Sequence, residues 1–487
     1  MIKNFKWLLL VSLSFVACNN NEDGSPAATP ITAGSANFSK FVSLGNSLTS
    51  GFSDNALFIN GQKNSYPNIM AQQFALAGGG TFSLPLMSDN KGGLLLGGNV
   101  IQGTRLYFNG VSPLPVTGSP TTEVLNHLPG AYNNMGVPGA KSFHLIAPGY
   151  GNPSGISQGT ANPYFARFSS SNTTTILADA LAQSPTFFSL WIGNNDVLSY
   201  ATSGGVGVNQ KGNLNPATYG PNDITDPNVF ANVYNGLLNG LTNGGAKGVV
   251  ANIPYVSSIP YFTTVPFNPV PLSSGAATQL NSGYAEYNGG LQNAVTNGLI
   301  TAAEAARRKV VFQAGQNAVV IVDSYLTDLT QYNIPSFRPA TKKDLLILPS
   351  RVFIGTTVNG DPTKVNGVSV PLADRWVLSL DEVEEVKVAV DAYNVSIKAL
   401  ASAKGLAFVD ANALLNQVFK GGIRFGNYHL SSSYVTGGAF SLDGVHPSAR
   451  GYALIANKFI EAINTMYGST LPMVNLGDYQ IQYPSSL

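Results

Sequence analysis

Short apolar runs alternate with amphipathic stretches along most of the chain. Phe38 to Leu44 (FSKFVSL) predicts a strand that stops at Gly45. Tyr66 to Ala77 has apolar residues at helical spacing. Thr173 to Gln183 reads as a helix with threonines at its cap. Thr186 to Ile192 (TFFSLWI) is an apolar strand with Gly193 directly after it. Asn228 to Leu241 is helical and Gly248 to Ile253 (GVVANI) is a buried strand. Leu380 to Lys404 predicts a long helix, Leu406 to Val409 a strand, Ala413 to Phe419 a helix and Ser448 to Met466 an amphipathic helix. Strands alternating with helices, each strand a short apolar run, predict an α/β fold with a parallel sheet covered on both faces. In such sheets ligands bind beyond the carboxyl ends of the strands.

Other stretches break this rhythm. Residues 78–130 are rich in Gly and Pro and lack periodicity, so an insertion is expected at about 80–130. Tyr132 to Gly139 reads as a Gly-rich turn, and 201–225 as loop. Pro254 to Pro271 (PYVSSIPYFTTVPFNPVP) excludes a regular element. It reads as a lid, an acyl-binding wall or a packed surface loop. Helices near 280–296 and 301–312 and short strands at Ala318 to Asp323 and Leu345 to Leu348 fall in a second expected insertion, about 256–378. The domain then spans 37–470, and 471–487 form a C-terminal tail.

The N-terminus changes the picture. Lys3 and Lys6 precede an apolar run from Trp7 to Val16, too short to span a bilayer. Ala17 and Cys18 follow. Residues 1–18 read as a secretory signal peptide, with Cys18 where a bacterial lipoprotein would be cut and acylated. Residues 19–36, rich in Asn, Ser, Pro and Ala, read as a flexible tether. Cys18 is the only cysteine, so the body can form no disulfide. Only 10% of residues are charged, the net charge is +1 and there is no basic block, which excludes a nucleic-acid surface. Membrane attachment is expected through lipid on Cys18, and the location is expected to be the cell envelope, as an outer-membrane lipoprotein exposed at the surface. Oligomeric state is not legible.

Three distant segments carry candidate chemistry: Gly45-Asn46-Ser47-Leu48, Gly193-Asn194-Asn195-Asp196 and Asp443-Gly444-Val445-His446. Each is expected where a strand stops and a Gly-rich turn begins. A serine hydroxyl needs a base within hydrogen-bond reach to act as a nucleophile at neutral pH. His446 can be that base, and Asp443, one short turn away, can fix its tautomer and stabilise its charged form. A tetrahedral intermediate needs donors aimed at its oxyanion, and the Ser47 N–H, a glycine N–H and an Asn amide could supply them. Taken singly, each segment has a bland reading: Ser47 as a helix cap, Asn195-Asp196 as a turn, His446 as a loop residue. Taken together, they favour catalysis. His127, His144 and His429 have no motif, and the 4 histidines are too scattered for a metal signature. No metal or organic cofactor is expected.

These residues, in this order, resemble the blocks of the SGNH (GDSL-type) hydrolases. The resemblance makes Ser47 the nucleophile of the first block. It makes Asn134-Met135-Gly136-Val137-Pro138-Gly139 the second block, with Gly139 rather than Gly136 as the oxyanion donor. It makes Asn195 the side-chain donor of the third block, and Asp443 to His446 the last block, followed by Pro447 and a Gly451-Tyr452 helix start. Asn252-Ile253-Pro254 looks like the exit of the fourth strand. The resemblance implies a five-stranded parallel sheet in a flavodoxin-like three-layer α/β/α sandwich, and esterase or lipase activity. The first block departs in one place, with Asn46 where the family has Asp, which keeps hydrogen-bonding capacity and loses the charge. The tether's Glu22-Asp23 pair resembles the surface-export signal of Bacteroidetes lipoproteins. The expected activity is serine ester hydrolysis of a small-molecule, lipid or acylated-glycan substrate. The alternatives are a non-catalytic glycan- or lipid-binding lipoprotein on a hydrolase scaffold, and an acyltransferase using the same triad.

Overall fold

A computed structural model describes residues 30–487. The expected signal peptide, the Cys18 lipid site and most of the tether lie outside the described residues. Five parallel strands form the central sheet: β1 (Phe41–Gly45), β2 (Asn134–Gly136), β3 (Phe187–Trp191), β4 (Lys247–Ala251) and β5 (Ala407–Val409). Their spatial order is β2-β1-β3-β4-β5. Every residue of β1 and β3 is buried, as a sheet covered on both faces requires. Alternation sorts the side chains. Val42, Leu44, Phe188, Leu190 and Val250 face one core, and Phe41, Phe187, Trp191, Val249 and Ala407 the other.

Helices α1 (Tyr66–Ala75), α2 (Ile176–Ala182), α3 (Asn195–Thr202), α4 (Pro227–Thr242), α5 (Leu380–Ala403), α6 (Ala411–Lys420) and α7 (Ala449–Tyr467) complete the layers. Apolar stripes of α2, α3, α4 and α5 pack on the first face, and those of α1, α6 and α7 on the second. The fold is therefore an α/β three-layer sandwich with a doubly wound parallel sheet. Several boundaries follow local chemistry. Thr175, Asp226, Asp410 and Ser448 cap α2, α4, α6 and α7, and Ser379 with Glu382 forms a capping box on α5.

The segment 132–139, read as a turn, contains β2, a buried edge strand in register with β1: Ser43, Leu44 and Gly45 lie opposite Asn134, Met135 and Gly136. Pairing, not side-chain propensity, makes it a strand. The Pro254 to Pro271 stretch holds a one-turn helix, Pro260–Thr263, and a short strand, Val270–Leu272, so the prolines shorten regular structure without abolishing it. Val320–Val322 is a strand, but it pairs antiparallel with Phe337–Pro339 outside the main sheet. Residues 80–130 fold as two small hairpins. Residues 256–378 carry apolar clusters of their own, around Val320, Ile321 and Leu372 and around Leu291 and Leu329. There the fully buried Arg338 is held between Asp323 and Asp344. Residues 30–36 and 471–487 lie against the body. Ser35 N–H donates to Tyr467 O at 2.8 Å, and Arg105 donates to the carbonyl of Pro484 at 2.6 Å.

The end of β1 leaves no room for a side chain at residue 45. A Cβ on Gly45 would lie 2.1 Å from Thr49 Oγ1 and 2.5 Å from the carbonyl oxygen of Trp191. Gly45→Ala is expected to destabilise the fold by about 3 kcal/mol, the upper range for overpacking. Urea denaturation should show a lower midpoint with an unchanged slope, and an unchanged midpoint would contradict this close approach.

Candidate active site

Ser47 opens a one-turn helix, Ser47–Ser50, immediately beyond β1. Asn46 caps that turn. Its Oδ1 accepts the Leu48 N–H at 3.0 Å, and its Nδ2 donates to Asn194 Oδ1 at 3.2 Å. Asn46 is fully buried. An uncharged amide suits this place, since it accepts on one side and donates on the other without burying a charge. Tyr452, at the start of α7, donates its hydroxyl to Phe52 O at 2.7 Å and steadies the residues after Ser47.

Asp443 and His446 come from an irregular segment before α7, not from a strand end, which corrects that part of the expectation. The segment turns on Asp443 itself. One carboxylate oxygen accepts the N–H groups of Val445 and His446, each at 2.8 Å. Gly444, with φ of +74°, makes the turn possible, and its carbonyl accepts the Tyr261 N–H at 2.9 Å. The other carboxylate oxygen lies 2.9 Å from His446 Nδ1. Across the ring, His446 Nε2 lies 2.9 Å from Ser47 Oγ. With Nδ1–H donating to Asp443, Nε2 is left to accept the serine proton. Phe52 packs on the imidazole, ring centroids 4.6 Å apart. Burial alone would raise the Asp443 carboxyl. The charge of His446 and the hydrogen bonds from its ring and from two backbone N–H groups hold it down to about 2.

The expected oxyanion donors come from neighbouring segments. Val137 N–H donates to Gly45 O, and Ala140 N–H to Val137 O. Pro138 and Gly139 form the corner of that turn, Gly139 at φ +81°. The N–H groups of Ser47 and Gly139 have no acceptor among the described residues. Asn195 opens α3, and its Nδ2 donates to Ala140 O at 2.9 Å, leaving its second N–H unused. The next residue reinforces the link: fully buried Asp196 accepts the Ser142 N–H at 2.8 Å and the Ser142 hydroxyl at 2.7 Å. The 139–142 and 193–196 segments are thus bound side by side.

Of the other histidines, His127 lies 2.9 Å from Ser169 O and His429 3.0 Å from Gly421 O. His144 accepts from Lys141 N–H at 3.0 Å, and burial, with Lys141 beside it, pushes its imidazole down to about 3. None of the three joins the Ser47 site.

The structure adds a residue that no motif marked. Asp54 is buried against the Asp443 segment, with φ of +51°. Its Oδ1 accepts the Leu442 N–H at 2.9 Å, its own N–H donates to Ser441 Oγ at 3.0 Å, and the Asn55 N–H donates to Asp443 Oδ2 at 2.9 Å. Its second oxygen has no partner among the described residues. Arg105 stands near, but its guanidinium is bonded to the carbonyls of Asn90, Leu106, Pro484 and Ser485. Burial pushes the Asp54 carboxyl up to about 7; the Leu442 N–H and Arg105 oppose this and the Asp443 charge adds to it.

No protein-family model and no curated protein matches the chain. It is similar to the solved structure of LAE5, an alpha/beta hydrolase enzyme from the metagenome of Lake Arreo, at 10% identity and a TM-score of 0.33 over 88% of this chain and 97% of that one. It is also similar to a catalytic mutant of Axe2, an acetylxylan esterase from Geobacillus stearothermophilus, at 10% identity and a TM-score of 0.32 over 89% of this chain and 97% of that one. At such distance these likenesses add nothing to the chemistry, which rests on the geometry above.

Asp54 and Asp443 bend the stability profile in opposite senses. Asp443, held at about 2, contributes stability above its ordinary value of 3.8 that is lost as the pH falls through about 2. Asp54, raised from 3.8 to about 7, contributes stability below 3.8 that is lost as the pH rises through about 7. The titratable groups facing Asp54 are Asp443, Arg105, Tyr434 and Tyr483. Asp54→Asn should therefore flatten the fall of Tm between pH 3.8 and about 7. Thermal melts across that range that fall as steeply in the variant as in the parent would contradict it.

Proposed function

We propose that the protein is a serine ester hydrolase. One observation carries this reading: the chain of hydrogen bonds from Asp443 through His446 to Ser47, 2.9 Å at each step. His446 takes the Ser47 proton as Oγ attacks the ester carbonyl, and Asp443 stabilises the imidazolium that forms. The carbonyl oxygen becomes an oxyanion. The free N–H groups of Ser47 and Gly139 and the second N–H of Asn195 are the donors for it. The tie from Asn195 to Ala140 supports this role, since it fixes the amide before the substrate arrives. His446 then gives its proton to the departing alkoxide, leaving Ser47 acylated. A water, deprotonated in turn by His446, attacks the acyl carbon; collapse of that second intermediate releases the acid and restores the serine hydroxyl.

Asn46 and the insertions are the features that would favour a non-catalytic reading. Asn46 serves as a neutral link between the first and third segments, and no feature of the Ser47 site favours a disabled centre. A transferase reading has no specific observation in its favour.

Ser47→Ala should reduce hydrolysis of p-nitrophenyl esters to the uncatalysed rate with an unchanged circular dichroism spectrum. A folded variant with undiminished turnover would refute the assignment. Asn195→Ala should cost about 10²–10³ in kcat, the usual loss for one oxyanion donor. A steady-state loss under about threefold would remove Asn195 from the oxyanion site.

A further inference from the structure

We infer that the substrate's acyl group is an apolar chain reaching about five carbons beyond the carbonyl, held in a slot that begins at Ser47; this rests on the ester-hydrolase reading above. Ser47, His446, Asn194 and Asn195 line one part of a cavity of about 120 Å³. Almost all the rest of its wall is apolar. Helix α6 contributes Leu414, Leu415 and Val418, α7 contributes Ile455, and the stretch after β4 contributes Val256 and Ile259. Among the described residues no Asp, Glu, Lys or Arg lines it. A sugar or a charged acyl group would lose its hydrogen bonds to water there and find few replacements. An alkyl chain loses nothing and gains burial.

The size sets the length. An apolar protein cavity of about 150 Å³ holds the six carbons of a benzene, so a slot of 120 Å³ holds about five carbons, which with the carbonyl at Ser47 is a hexanoyl group. An acetyl group would leave most of it unfilled. The slot belongs to the acyl half of the ester on kinetic grounds. The acyl group stays attached to Ser47 while the alcohol departs and water enters. An apolar wall beside Ser47 suits the half that stays, whereas the alcohol needs a way out past His446, whose side chain retains 14% exposure.

The α6 side chains set this preference. Leu414 and Leu415 are half-buried: each packs against the edge of an apolar core and also lines the slot. Only Ala411 and Val418 of that helix are fully buried.

The test is kcat/KM on p-nitrophenyl esters from acetate to decanoate with the full-length protein. Each methylene that enters the slot is worth about 0.8 kcal/mol, or about fourfold. A rise of about two orders of magnitude from acetate to hexanoate is expected, then a plateau. Leu414→Trp should lower the hexanoate-to-acetate ratio by about tenfold. Alkyl acetates from methyl to hexyl should show no comparable gradient. Acetate turned over as fast as hexanoate would overturn the acyl slot, and a gradient confined to the alkyl acetates would overturn its assignment to the acyl half. If no ester is hydrolysed and a fluorophosphonate fails to label Ser47, the hydrolase reading itself falls, which is a different result from either of these.

Discussion

The Asn55 N–H donates to the Asp443 carboxylate across 388 residues of chain, and the rest of the site depends on that contact and its neighbours. A parallel sheet delivers strand ends to one edge without help. It delivers Ser47 beyond β1 and Asn195 beyond β3, but not Asp443 and His446, which ride on a coil before α7. Three bonds from Asp54 and Asn55 fix that coil, to Leu442, Ser441 and Asp443. Ser53 adds a fourth, its hydroxyl donating to Pro447 O at 3.1 Å. Asp54 and Asn55 both sit at positive φ, 51° and 64°. Such backbone persists in non-glycine residues where surrounding contacts over-determine it, and here those contacts hold the carboxylate in place.

Two carboxyl groups share this buried corner, and their environments push them apart. Asp443 has the His446 ring and two backbone N–H groups as donors, and stays ionised. Asp54 has one backbone donor and an orphan oxygen, and is held near neutrality by burial. Were both ionised, they would repel in a medium that screens poorly. An Asp54 that is mostly neutral below about 7 leaves the whole local negative charge on the residue that orients His446.

Much of this was legible in the chain, because much of it is local. The Asp443 to His446 turn needs only an acid that can accept two N–H groups ahead of it and a glycine between. Ser47 and Asn195 follow strongly apolar strands, so their positions at strand exits could be read from periodicity. β2 could not. It is three residues long, two of them Asn and Gly, and its extended form comes from pairing with Ser43–Gly45. Asp54 could not either, since its value lies in a segment 388 residues away in sequence. The stretch after β4 was ambiguous for a related reason. Prolines and aromatics mark irregular backbone but do not say what that backbone faces, and only the folded arrangement puts Val256 and Ile259 against the slot.

The wall of that slot is set by polar bonds rather than by its own packing. At the exit of β4, Asn252 donates to Asp410 Oδ1 at 2.9 Å and accepts the Asn412 N–H at 2.9 Å. Asn412 in turn donates to Ile253 O at 3.0 Å. Asn394 on α5 bonds Ile253 from the other side, donating to its carbonyl and accepting its N–H, each at 2.8 Å. Asp410 also caps α6, accepting the Ala413 N–H. These amides fix the first turn of α6 relative to the end of β4. Because a helix is stiff over three turns, fixing its start also fixes where Leu414 and Val418 project. The one carboxylate in this network, Asp410, is solvent-exposed; the remaining side-chain links are amides, which place no charge beside an apolar cavity, where an unpaired carboxylate or ammonium would be costly. The same solution appears at Asn46 and Asn194, next to Ser47. In a chain only 10% charged, asparagine does the aligning both beside Ser47 and behind the cavity wall.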